Sequence, residues 1–149
     1  MKFKFPFQNV MHYRKTLENI AQRDFQETVG ELAQLNLILH NLQKEIVEAR
    51  ESRFKKEIEG GKSAPALGQA EDFIKGQALR IVRQQAKIQE CEKRVEELRE
   101  ILRSKAIDYK IIEGLRDRRH EQFQLEQKKL EQKQLDDMNM MRFRPEGKK

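Results

Sequence analysis

The sequence predicts an all-α fold, two long helices forming an antiparallel coiled-coil hairpin with helix two overhanging helix one. Three observations carry this. Ala, Glu, Lys, Leu and Arg make up 73 of the 149 residues, the composition of long helices and coiled coils. Gly and Pro number seven and three, too few to punctuate a many-stranded sheet. Apolar residues also recur at alternating spacings of three and four on both sides of one glycine-rich interruption.

Helix one is expected over about 8–58. Its seam runs through Val10, Tyr13, Leu17, Ile20 or Ala21, Phe25, Thr28, Leu32, Leu35, Leu39, Leu42, Ile46 and Ala49. Two successive spacings of four, from Leu17 through Ala21 to Phe25, form a stutter that locally unwinds a left-handed supercoil without ending the helix. The turn is expected over about 59–68. Gly60, Gly61, Pro65 and Gly68 break the pattern there; Gly60 suits the left-handed end of the first helix, and Ser63 with Pro65, or the residues after Gly68, can open the second.

Helix two is expected over about 69–141, followed by a flexible tail at 142–149, the whole chain forming a single coiled-coil domain. Its seven-residue series Ile74, Ile81, Ile88, Val95, Leu102, Tyr109, Arg116, Phe123, Leu130 is apolar except at Arg116. The companion series Ala78, Gln84, Cys91, Leu98, Lys105, Ile112 is weaker. Pairing the stretches head to tail gives contacts whose residue numbers sum to about 126 or 127, such as Leu39 with Ile88. Helix two is then used up to about residue 117, and residues 118 to 141 overhang. At ~1.5 Å per residue the helices are ~75 and ~108 Å long, so a rod is expected.

Charge and composition exclude several functions. The chain is 37% apolar and 38% charged, against roughly 45–50% and 25% in ordinary globular domains, so a compact globule is not expected. No apolar run approaches the ~20 residues needed to cross a bilayer, and no signal-peptide pattern opens the sequence; a cytosolic protein is expected. The net charge of +6 is spread over alternating Glu and Lys/Arg along most of the chain, the pattern of solvated helix faces. Lone Cys91 excludes an internal disulfide and reads as a small seam residue.

Catalytic chemistry finds no constellation. His12, His40 and His120 lie far apart in sequence, so no metal site is expected, although the hairpin register brings His12 near the level of His120. Gly60-Gly61-Lys62-Ser63 lacks the first glycine of a phosphate loop and follows a helix instead of a strand. Two paired helices offer no water-excluding pocket for acid or base work; no enzyme activity and no cofactor are expected. Nucleic acid could meet Arg116, Arg118 and Arg119 or the C-terminal Arg142, Arg144, Lys148 and Lys149. Yet no aromatic platform accompanies them, and Asp136-Asp137 interrupts the track.

The free end stands out. Phe3, Phe5 and Phe7 alternate with Lys2, Lys4 and Pro6, beside an overhang carrying Phe123, Leu130, Met138, Met140 and Met141 with no helix partner. Exposed aromatic and methionine surface marks a protein-binding site, and folding of the phenylalanines back on Phe123 is compatible with it. Arg116 and Arg119 end the dry seam and present cations to an acidic partner.

Phe5-Pro6-Phe7, Val10-Met11-His12-Tyr13-Arg14-Lys15 and Glu18 resemble the start of the flagellar FliJ family, in which a short basic-aromatic lead runs into a helix carrying a Tyr-Arg pair. The ending Gln132-Lys133-Gln134-Leu135-Asp136-Asp137, followed by Arg142, is similar to that family's Lys-rich stretch closing on an Asp-Glu pair, with Asp137 in place of Glu. Length, turn position and the Phe73-Ile74 pair also fit; Gly76 and Gln77 depart from the larger or more apolar residues expected there. The resemblance implies a non-enzymatic component of flagellar type III export, similar in shape to the stalk of rotary ATPases. It implies docking on the hexameric export ATPase, contact with the export gate membrane protein and with export chaperones, and a place at the cytoplasmic side of the inner membrane. The partner-binding residues expected from the free end and the resemblance together are Phe5, Phe7, Tyr13, Arg14, Phe73, Arg116, Arg119, Phe123, Leu130, Asp136 and Asp137. The free protein is expected to be a monomer. The alternative is a basic coiled-coil scaffold or nucleic-acid-binding protein.

Overall fold

The computed structural model describes residues 2–60 and 64–142. Two helices, α1 (Gln8–Ile58) and α2 (Ala64–Arg142), account for 94% of them and pack against each other as an all-α hairpin. Residues 61–63, where part of the expected turn falls, and the expected tail after Arg142 lie outside the described residues.

Each helix end has a local cause. Pro6 stands in the turn just ahead of α1, which the Gln8 N–H closes by donating to the Phe5 carbonyl at 3.2 Å, and the Met11 N–H donates to the Phe7 carbonyl at 3.0 Å, so the chain enters α1 directly. At the other end Gly60 takes a positive φ of 67° and its N–H donates to the Glu57 carbonyl at 3.2 Å. A Cβ would be strained in that conformation, and the glycine stops the helix. α2 starts at Ala64, five residues before the expected 69, because Pro65 falls in its first turn, where a missing N–H costs nothing.

This earlier start resets the pairing. Ile58 and Ala64, the two helix ends, have numbers summing to 122, not the expected 126 or 127. The contacts across the seam follow: Gln84 Nε2 donates to the Leu35 carbonyl at 2.9 Å, Cys91 Sγ lies 3.8 Å from the Thr28 carbonyl, and Arg14 Nη1 donates to the Asp108 carbonyl at 2.8 Å. Their numbers sum to 119, 119 and 122, and those of Arg53 with Glu71 and Glu31 with Arg94 to 124 and 125, so the contacts centre about four residues, one helical turn, below the register expected from the apolar series.

The chain divides into two compact units, Asn19–Arg103 and Met1–Glu18 with Ser104–Lys149. In the first, Ala21, Thr28 and Ile46 of α1 are buried against Gln77, Gln84, Ile88, Cys91 and Val95 of α2. Three of these are polar and each is satisfied. The Gln77 amide donates to the Glu45 carboxylate and its oxygen accepts from Arg80 Nη1 at 2.8 Å; the Thr28 hydroxyl donates to the Asp24 carbonyl at 2.9 Å. Such pairing offsets the desolvation of a buried amide or hydroxyl. Gln77, at 1% exposure the most buried large side chain, takes the companion position expected for Ala78, because the spacing of three from Ile74 prevails over four.

In the second unit the seam of α1 differs from the expected one. Val10 and Tyr13 are 40% and 64% exposed, while Met11 and Arg14 turn inward. Leu17 and Glu18 are both half-buried, as are Asp24 and Phe25 in the other unit. The stutter is thus absorbed by pairs of adjacent residues, and the seam ahead of it advances by one. Arg14 can take the inner place because its stem packs while its guanidinium finds the Asp108 carbonyl.

Candidate functional site

The unit formed by both chain ends concentrates the aromatic and cationic side chains. Phe3 meets His120 edge-on with ring centres 5.0 Å apart and Phe123 at 5.6 Å; Phe5 and Phe7 meet edge-on at 5.8 Å. Phe5 is 8% exposed. The Arg119 guanidinium lies over the Phe7 ring at 5.3 Å, and Lys15 Nζ over the Tyr109 ring at 4.8 Å. The lead segment therefore covers the seam of α2 for two turns past the start of α1, through rings that pack where no second helix exists.

Below this cap lies a polar layer. Lys15 Nζ stands 3.6 Å from Glu18 Oε1; Glu18 Oε2 and Arg116 Nε are buried without a hydrogen-bond partner. The Tyr109 phenol is held above its ordinary value near 10, first by its hydrogen bond to Glu113, then by burial and by the Glu113 and Glu18 carboxylates, with Arg116 opposing. Arg116 occupies the seam as the seven-residue series requires, and it ends the apolar stripe of α2.

Beyond Phe123 α2 continues to Arg142, and every residue there except half-buried Gln127 is exposed. Leu125, Leu130, Leu135, Met138, Met140 and Met141 are between 46% and 75% exposed. Asp136 accepts a 3.3 Å hydrogen bond from Gln132, one turn earlier, and Asp137 is exposed.

Of the residues singled out by sequence, Phe5, Phe7, Arg119 and Phe123 come together in the cap, with Arg116 nearby. Tyr13 stands out to solvent, Arg14 is used inside the pairing, and Leu130, Asp136 and Asp137 lie on the extension. Phe73 belongs to the other unit, where it is 46% exposed beside a shallow groove lined by Ala49, Arg53, Leu67 and Ala70. Phe3 and His120 were absent from the expected binding set and hold the cap in place. The alternation of Phe with Lys was their signal in the sequence; which ring meets which depends on the register.

Among the described residues no group of three or more His, Cys, Asp or Glu is placed to hold a metal ion, and no helix is long and apolar enough to cross a membrane. The surface depressions are open grooves along the helices. The fold is that of a coiled-coil hairpin with α2 continuing past the start of α1. The family model described as Flagellar FliJ protein matches residues 3–148, and the chain belongs to that family. It is similar to the Flagellar FliJ protein of Bacillus subtilis (strain 168), 24% identical over 148 residues that cover 99% of each chain. No solved structure matches it. Family membership supports a flagellar export-related role.

Proposed function

We propose that the chain is a stalk-like component of the flagellar type III export apparatus that docks on the hexameric export ATPase ring, promotes its assembly and activity, and links it to the export gate and export chaperones. The observation that supports this most is the extension of α2. Nineteen residues, 124–142, run beyond the last ring contact, spanning ~28 Å at ~1.5 Å per residue, with leucine and methionine side chains exposed and no described segment covering them. Such a helix gains its burial from another molecule.

The paired helices then serve as the carrier and hydrolyse nothing; the family is a non-catalytic export component. Phe73, exposed in the Asn19–Arg103 unit beside its shallow groove, is proposed as a further partner contact. The protein acts as a monomer in the cytoplasm, peripheral to the inner membrane at the flagellar base.

The test is addition of the purified chain to purified flagellar export ATPase. Several-fold stimulation of ATP hydrolysis, saturating with added chain, is expected. Unchanged hydrolysis over the same range, with no co-purification of the two proteins, overturns the reading.

A further inference from the structure

Among the described residues the sulfur atoms belong to Met11, Cys91, Met138, Met140 and Met141, and burial divides them sharply. Cys91 is 6% exposed, with its Sγ against the Thr28 carbonyl, and Met11 is half-buried on the inner side of α1. Met138, Met140 and Met141 are 57%, 73% and 75% exposed. The exposed sulfurs among the described residues therefore all lie within residues 138–141, at the end of α2.

Their positions on the helix extend its apolar stripe. At roughly 100° per residue, Met141 falls about 20° from the line of Leu130, and Met138 and Met140 about 80° to either side of it. The stripe that begins at Leu130 thus ends in three thioethers, and the side chains best placed to give a partner flexible apolar contact are also those most open to oxidation.

We propose that Met138, Met140 and Met141 form a reversible oxidation site that regulates the contact made by the α2 extension, with a peroxide as the oxidant. The inference rests on the docking role proposed above for that extension. A lone pair of Sδ attacks one oxygen of hydrogen peroxide, the S–O bond forms as the O–O bond breaks, and the departing hydroxide takes the remaining proton to leave as water. The sulfur loses two electrons and the peroxide gains them. The methionine sulfoxide that results is polar and chiral where the thioether was apolar and flexible, so three such changes remove the apolar end of the stripe. The seam is spared, because Cys91 is shielded within it.

The test treats the full chain alone with hydrogen peroxide, destroys the excess with catalase, and then measures stimulation of purified flagellar export ATPase. Peptide mass spectrometry should show Met138, Met140 and Met141 each gaining one oxygen before Met11 or Cys91 does. The chain concentration giving half-maximal stimulation should rise at least about fivefold at unchanged helical circular dichroism. Methionine sulfoxide reductases A and B, one for each sulfoxide epimer, should restore the starting value in the presence of dithiothreitol. The triple variant Met138→Leu, Met140→Leu, Met141→Leu keeps Met1, Met11 and Cys91; whatever its starting value, peroxide should leave that value within about twofold. Undiminished stimulation by a chain oxidised at all three positions overturns the proposal, as does an equal loss in the triple variant or prior oxidation of Met11 or Cys91. Absence of stimulation by the untreated chain overturns the docking reading itself, and this proposal with it.

Discussion

Arg116 and Tyr109 occupy successive positions of the same seven-residue series, and each shows what a polar group does when periodicity places it in a seam. Arg116 is half-buried with its Nε lacking a partner, a desolvation cost of roughly 1–3 kcal/mol. Arg116→Leu should therefore raise the thermal midpoint by a few degrees, since it removes the orphan donor and extends the stripe; a lower midpoint would show that Arg116 makes a structural ion pair. Tyr109 is a pH probe. Its neutral form is favoured in the folded state by the hydrogen bond to Glu113 and by burial. The unfolded chain thus releases the phenolic proton more readily, so this contribution to stability is present below pH ~10 and is lost as pH rises through the folded value. Urea denaturation at pH 9 and pH 11 should show the wild type losing stability relative to Tyr109→Phe across that interval. A constant difference would contradict the assignment.

At the scale of elements, the apolar periodicity made both helices legible. Every step of the three-four ladder from Ile74 to Arg116, with Gln77 in place of Ala78, is buried or half-buried. Register was less legible, because it depends on where α2 begins. A chain rich in breakers at Gly61, Pro65 and Gly68 reads as a long turn, yet proline is tolerated in a first helical turn and Gly68 inside one. The inward turn of Arg14 was also hidden, since its reward is a carbonyl 94 residues away. The cap alters one consequence of the sequence reading, that pairing is complete by residue 118. Ending the chain after Arg118 removes His120 and Phe123, against which Phe3 packs, and should cost ~1–2 kcal/mol from lost ring contacts. Among the described residues, ending it after Gln127 removes only exposed ones and should leave the thermal midpoint within about 2 °C. Circular dichroism melts of both truncations check this; equal losses would mean that the extension packs internally.

For the whole molecule, the sequence reading reaches the all-α hairpin and the family to which the chain belongs. The family resemblance was legible at the two chain ends, where a basic-aromatic lead and an Asp pair are less easily imitated than heptads. Which side chains form a contact surface was only partly legible: sequence marks apolar residues without saying which are covered, and Phe5 proved buried while Tyr13 proved exposed. A monomeric hairpin requires Glu31 and Arg94, 3.7 Å apart, to belong to one chain. Spin labels at these two positions, with Cys91 replaced by Ala, should lie within about 15 Å in dilute protein, given helix axes 8–10 Å apart. A separation of several tens of ångströms would indicate intermolecular pairing.

The central claim is that the paired helices are the carrier and the α2 extension is the contact with the ATPase ring. The most direct measurement compares the full chain with the chain ended after Gln127 in the export ATPase assay. Several-fold stimulation by the full chain and none by the truncated one, at equal helical content per residue, is the predicted result. Full stimulation by the truncated chain would place the contact elsewhere and contradict the account.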